Sequence, residues 1–521
     1  MFHRSWGLMM IQVNIQAPCA LLDFPSLDRF IDEIRDNSYD IVGISSIVVN
    51  LHKVRKMCEL VRQYQSQAKI VVGGHIANVT GLDDRIDADY IVKGEGVRWF
   101  RRFLGEDVNQ PVCHPQITSG IGTRSLGISV KENTSDVAAT VIPSVGCPLG
   151  CNFCSTSAMF GGKGKFVDFF QTGDDLFEIM CELERSMQVR SFFIMDENFL
   201  LHRKRALRLL ELMEQFGKSW SLYVFSSANV LCSYEWDELV RLGVSWVWMG
   251  LEGEQSQYLK LRGIDTHKLV KTLQSHGIRV LGSTIIGLEN HTPDKIDAII
   301  DYAVTHDTDF HQFMLYTPIP GTPLYTELSQ RGRIKDESEY HISDMHGQFA
   351  FNYRHSHIAD GQETGFLKNA FRRDFEVNGP SIARIARTML NGWKRYKQHS
   401  DLRVRRRLTW EARTLSTTFT AAVSATRQFC RDNPKLYTKM SELLKELCRE
   451  FGIKSRLVPF FGVRYVLRTL RKEQKRLAEG WKYEPPTFYE INDGFQKLIT
   501  GEKSLATLSR FVCPGATDAG R

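Results

Sequence analysis

Cys147-Pro148-Leu149-Gly150-Cys151-Asn152-Phe153-Cys154 places three thiols within eight residues, directly after the apolar stretch Ala139–Pro143, which reads as a buried strand. Gly146 and Gly150 let a loop curl around them. Thiolates at this spacing can each bond a different iron of a cubane cluster, and three ligands leave the fourth iron open to an exogenous molecule. A closed structural zinc site wants four ligands, and the nearby sequence offers no fourth Cys or His. The motif predicts a [4Fe–4S] cluster on Cys147, Cys151 and Cys154.

Outward from this loop the chain alternates strands and helices. Within residues 138–345, strands are expected at Ala139–Pro143, Ser191–Met195, Leu222–Ser226, Trp246–Gly250, Val280–Ile286 and Gln312–Thr317. Helical spacing fills the gaps, as at Asp174–Ser186, Lys204–Phe216 and Pro293–Val304. Six successive βα units predict a (βα)6 partial barrel with its chemistry at the strand C-termini. Residues 1–112 show a second α/β pattern, Rossmann-like, with strands at Asp40–Ser46, Lys69–Gly74 and Tyr90–Val92 and a helix at Val54–Tyr64. Residues 113–137 are polar and read as a linker. After about residue 346 strands are expected to give way to basic helices, making 346–521 a helical domain.

The bulk figures fit this division. With 521 residues, 42% hydrophobic and 24% charged, the composition is that of a globular protein. No apolar run is long enough to cross a bilayer, and the N-terminus lacks a secretory pattern, so a cytoplasmic location is expected. The eleven cysteines show no disulfide framework, and those outside the motif read as isolated, mostly buried side chains. Net charge is +7, yet residues 381–480 hold 24 Lys/Arg against 8 Asp/Glu, so that region carries +16 and the rest −9. An anionic partner is expected for the basic region.

A CxxxCxxC loop after the first strand of a βα barrel resembles the radical S-adenosylmethionine (SAM) superfamily. Four further segments resemble its other motifs. Met195-Asp196-Glu197-Asn198-Phe199 resembles the element that meets the SAM amino group, so Asp196, Glu197 and Asn198 are implied cofactor residues. Gly250-Leu251-Glu252-Gly253 resembles the fourth-strand segment, whose Glu often reaches the ribose. Ser283-Thr284-Ile285-Ile286-Gly287-Leu288-Glu289 resembles the segment near the adenine, implying Ser283. Tyr316 to Tyr325 resembles the sixth-strand ending of cobalamin-dependent members. The resemblance implies reductive cleavage of SAM to a 5′-deoxyadenosyl radical.

Residues 1–112 resemble the cobalamin-binding domain of class B radical SAM methyltransferases. The matching pieces imply contacts from Ser45, Ser46, Gly73, Gly74, Gly94 and Glu95. The Asp-x-His-x-x-Gly signature of cobalt-ligating proteins is missing, so His75 is expected to be a loop residue and not a cobalt ligand. Met9–Ile15 reads as the second strand of such a domain, so that either the gene start is misplaced or the domain is abbreviated.

At the C-terminal side, Ile382, Ile385, Met389 and Trp393 recur at helical spacing beside Arg384, Arg387, Lys394 and Lys397. Pro459 to Arg468 is aromatic and basic. Two readings stay open: amphipathic helices packed on the barrel, or an interfacial surface on anionic lipid. No nucleic-acid recognition module is seen. The stretch from Ser381 to Tyr489, and the order of the three regions, are similar to the hopanoid C-3 methylases. That similarity implies transfer of a methyl group through methylcobalamin to an unactivated carbon of a triterpenoid lipid. It also implies a reductase or flavodoxin-type electron donor and peripheral contact with the inner membrane face. A radical SAM cyclase or oxidase, or a non-enzymatic iron–sulfur protein, are the alternatives.

Overall fold

Six parallel strands pair in chain order: Ala139–Val141, Ser191–Ile194, Ser221–Phe225, Val244–Gly250, Arg279–Ile286 and Phe310–Leu315. The computed structural model describes residues 3–119, 124–125, 128–129, 137–252, 261, 263–342, 347, 349–480, 485–492 and 511–512. Each crossover steps to the adjacent strand in one direction, which gives an open, curved sheet. Ile117–Thr118, within the stretch read as a linker, adds an antiparallel edge strand against Ala139–Thr140.

Each strand alternates its faces. In Val244–Gly250, Val247 and Met249 are buried, while Trp246 and Trp248 between them are only half-buried. Val141, Ile194, Val224 and Val247 pack on the crossover helices through Leu176, Ile179, Leu183 and Leu209. The first of these helices, Gly173–Met187, starts at a capping box in which Thr172 and Asp175 satisfy each other's backbone amides.

The N-terminal end of the barrel is closed from the C-terminal region. Helix Leu402–Ala412 presents Glu411, which accepts from Arg279 at 2.6 Å, from Arg407 at 3.0 Å and from Ser221 at 3.1 Å. All three charged groups are buried.

The N-terminal domain holds a parallel sheet of Ile41–Ser45, Lys69–Gly73 and Tyr90–Ile91. Two expectations fail here. Met9–Ile15 is not a strand: Trp6–Asn14 is a helix, anchored through Ser5, whose amide and hydroxyl both donate to Asp23. Short β-branched, alternating runs do not separate strand from helix, and burial of Met9 and Met10 decides it. Nor do strands vanish after residue 346. Phe488–Asn492 returns to pair antiparallel with Cys19–Asp23, and Arg4 bridges the two through Asp23 and Glu490. A third departure is Cys113, read as an isolated thiol but disulfide-bonded. A disulfide connectivity cannot be read from cysteine spacing alone.

The two basic amphipathic stretches differ. Helix Ser381–Tyr396 is packed: Met389 and Leu390 are buried, Arg384 pairs with Asp374 at 2.7 Å, and Arg387 pairs with Asp307 at 2.9 Å. Helix Ile453–Ala478 buries Val463 and Val466 but leaves Ile453, Leu457 and Phe460 exposed, Phe460 at 74%. The Phe461 side chain and residues 481–484 lie outside the described residues.

Candidate active site

The cysteine loop is shaped by two glycines with positive φ, Gly146 at 92° and Gly150 at 66°. A Cβ on Gly150 would sit 2.5 Å from Cβ of Lys163, so no other residue fits without moving the following turn. The Ser157 hydroxyl donates to the Cys147 carbonyl at 2.8 Å, and the Cys154 amide donates to the Cys151 carbonyl at 3.0 Å. None of the three is in a disulfide, and all are half-buried. Burial, with the nearby Cys154, Cys151 and Glu197 charges, pushes the Cys147 thiol up to about 11. Among the described residues no three His, Cys, Asp or Glu converge on one ion position. A cubane does not require it, because each thiolate bonds a different iron. The loop is tied to the sixth-strand ending: Asn152 donates to the Tyr316 hydroxyl at 3.3 Å, and the Leu324 amide to the Asn152 carbonyl at 3.0 Å.

The segment after the second strand divides its roles. Asp196 is buried and occupied. Ser144 donates to it at 2.6 Å, and Arg205 forms a buried ion pair with it. Asn198 accepts from Ser226 and from the Ser227 amide and donates to the Ser227 hydroxyl. Glu197 is the one of the three that lines a cavity. Its Oε2 is shut off from solvent with no hydrogen-bond partner, and burial pushes its carboxyl up to about 8. Across the barrel, Glu252 is buried with φ of 50°, and Leu251 donates its amide to the Ser283 carbonyl at 2.7 Å, so those two expected residues share one neighbourhood. Gly253 lies outside the described residues. Glu289 is exposed, with Arg331 at 4.0 Å.

The six residues expected to meet cobalamin, Ser45, Ser46, Gly73, Gly74, Gly94 and Glu95, line one cavity of about 520 Å3. Its opposite wall is the radical side: Thr156, Met159 and Phe160 after the cysteine loop, with Met195 and Glu197. A second cavity of about 600 Å3 adjoins it, sharing Leu8, Ile11, Gly43 and Phe100. Glu95 spends its carboxylate on capping helix Gly96–Phe103, accepting from the amides of Val97 and Arg98. His75 is at the wall, held neutral by burial, and its Nδ1 has no partner. An apolar cleft with two orphaned polar atoms, Glu197 Oε2 and His75 Nδ1, fits a large bound molecule carrying its own polar groups. The N-terminal domain and the barrel side also touch directly elsewhere. A Cβ on Gly321 would lie 2.6 Å from Cβ of Asn78, and Arg85 makes a bidentate pair with Glu337.

The barrel interior is lined by residues that the motif reading passed over. Phe193, Tyr223 and Trp246 form one row across neighbouring strands, with centroids 5.0 and 5.6 Å apart. Phe225 and Trp248 stack above it at 4.9 Å. The signal was present as aromatics at i and i+2 in Ser221–Phe225 and Val244–Gly250.

Residues 7–104 match the family model of the B12 binding domain, and residues 141–303 match that of the radical SAM superfamily. An uncharacterized methyltransferase of Pyrococcus horikoshii is 26% identical, over 55% of this chain and 68% of its own length. A bacteriochlorophyllide d C-12(1)-methyltransferase of Chlorobaculum tepidum is 29% identical, over 58% and 69%. A hopanoid C-2 methylase of Rhodopseudomonas palustris is 27% identical, over 37% and 38%. The chain is a radical SAM enzyme with a B12 binding domain ahead of its barrel, and its cofactors are a [4Fe–4S] cluster, SAM and cobalamin.

Proposed function

We propose that this enzyme is a cobalamin-dependent methyltransferase that acts on an unactivated carbon of a polycyclic triterpenoid lipid of the hopanoid kind. The shared cleft carries the reading. Loops of the B12 binding domain and groups beside the cysteine loop line the same cavity, so a methyl carrier and a radical source can reach one carbon without a bimolecular encounter. When bound, the cluster and SAM supply a 5′-deoxyadenosyl radical and cobalamin carries the methyl group. A carbon without an acidic proton is a fitting target, since no tuned general base can open it.

The chain's own contribution is holding and shielding. Cys147, Cys151 and Cys154 hold the cluster. Glu197, Glu252 and Ser283 meet SAM, with Asp196 and Asn198 fixing the loop that presents Glu197. Ser45, Ser46, Gly73, Gly74 and Gly94 approach cobalamin by backbone and hydroxyl. The aromatic wall of Phe225 and Trp248 excludes water and offers a flat apolar face to the substrate. The relatives' names make a tetrapyrrole the second reading. The lipid is favoured because no Lys or Arg is among the described residues lining the shared cavity, so a substrate carboxylate would meet no cation there.

Among the described residues no helix is long and apolar enough to cross a membrane. We assign the enzyme to the inner membrane face through helix Ile453–Ala478, where exposed Ile453, Leu457 and Phe460 lie among Arg456, Arg464 and Arg468. A reductase or flavodoxin-type protein supplies the electron. Reduced, reconstituted enzyme given SAM and a hopanoid is expected to yield the methylated lipid with S-adenosylhomocysteine and 5′-deoxyadenosine. A cyclase or oxidase would release deoxyadenosine without S-adenosylhomocysteine, and methylation of a tetrapyrrole alone would overturn the lipid assignment.

A further inference from the structure

The cysteine loop sits beyond the C-terminal end of the first barrel strand. At the other end, Arg190 and Trp220, the residues just before the second and third strands, open onto a separate cleft of about 800 Å3. Six cationic side chains line it: Arg190, Lys218, Lys397, Arg405, Arg406 and Arg413. Its lining carboxylate, Glu184, is spent on Lys218 and on the Trp220 indole N–H. Lys397 is paired with Glu450. Arg190, Arg405 and Arg406 have no carboxylate partner among the described residues, and Arg405 Nε is buried without a hydrogen bond. Trp410, under the Arg413 guanidinium at 4.2 Å, and exposed Phe216 add flat apolar surface.

Like charges gathered in one cleft repel and destabilise the folded chain unless an anion neutralises them. A phosphate ester suits the geometry. It carries one or two charges, and its several acceptor oxygens can take planar guanidinium forks. We propose that this cleft binds a phosphate-bearing ligand whose apolar or aromatic part rests on Trp410 and Phe216. The inference stands apart from the methyl-transfer reading, and the ligand source is either a soluble nucleotide or a phospholipid headgroup.

The reconstituted full chain is titrated with inorganic phosphate, ATP and phosphatidylglycerol vesicles while tryptophan fluorescence is followed. Saturable binding is expected, weakened about tenfold for each guanidinium lost in Arg190→Gln or in the pair Arg405→Gln and Arg406→Gln. SAM cleavage stays unchanged, and the melting temperature without ligand does not fall, since the variants relieve like-charge repulsion. Arg405→Lys, which keeps the charge but loses the fork, falls between. Saturation by ATP or phosphate assigns a soluble ligand. Saturation by vesicles only, lost in the arginine variants and kept in Phe460→Asp, assigns a headgroup. If no probe saturates, or the arginine variants bind as the parent does, the proposal is overturned.

Discussion

Two buried glutamates sit at opposite ends of the barrel. Glu411 has both oxygens occupied, one by Arg407 and Ser221 and the other by Arg279. Glu197 has no cation beside it, and its Oε2 has no partner in the chain. The first arrangement satisfies every group and closes the fold. The second leaves polar capacity unspent at a cavity wall, where a ligand must supply it. One sheet thus carries a structural end and a chemical end, and substitutions at the two should separate stability from turnover.

The sharpest separation is expected at the cysteine loop. Replacing Cys147, Cys151 and Cys154 with Ala should abolish iron binding and SAM cleavage while the apo-protein melts close to the parent. Iron content, deoxyadenosine and a thermal melt check it, and residual cleavage in the triple variant would break the distinction. At the closed end, Glu411→Ala strands Arg279 and Arg407 without a counter-charge and should cost about 3–5 kcal/mol in urea unfolding. A loss below about 1 kcal/mol would mean that the network behaves like an exposed pair.

Glu197 gives a smaller, pH-dependent effect. Burial raises its carboxyl from 4.5 to about 8, so the folded chain holds a proton that the unfolded chain releases. That stability is complete below about 4.5 and is lost as pH rises toward about 8. Glu197→Gln should flatten the slope in apo-protein, and an unchanged slope would place its origin elsewhere. The smallest change in stability, within about 0.5 kcal/mol, is expected for Phe460→Asp. Its effect should appear as weaker co-sedimentation with anionic vesicles, and undiminished binding would exclude this helix as the contact.

The chemical end was more legible than the structural one. Gly146 and Gly150 mark the loop because only a residue tolerant of positive φ makes that turn, and the six barrel strands announced themselves by buried runs. Glu411 with Arg279 could not be foreseen. Their partnership joins residues 132 apart, and nothing local in either segment encodes it. Asp196 shows the same limit inside a motif. The sequence groups it with Glu197 and Asn198, but Arg205, in the first turn of the next helix, takes it for the scaffold. Phe488–Asn492 was missed because it is an edge strand set by Cys19–Asp23 far upstream, and short pairings depend on the partner more than on propensity. Ser381–Tyr396 and Ile453–Ala478 read alike, both being basic with apolar residues interleaved. Only the ion pairs of Arg384 and Arg387 and the exposure of Phe460 tell them apart.

Mass spectrometry of lipids from cells with and without this gene tests the central claim most directly. Fed SAM precursor labelled in its methyl group, cells with the gene should contain hopanoids bearing one additional labelled methyl, and cells without it should lack them. The same lipid profile in both, or a labelled methyl gained by a tetrapyrrole instead, would contradict the account.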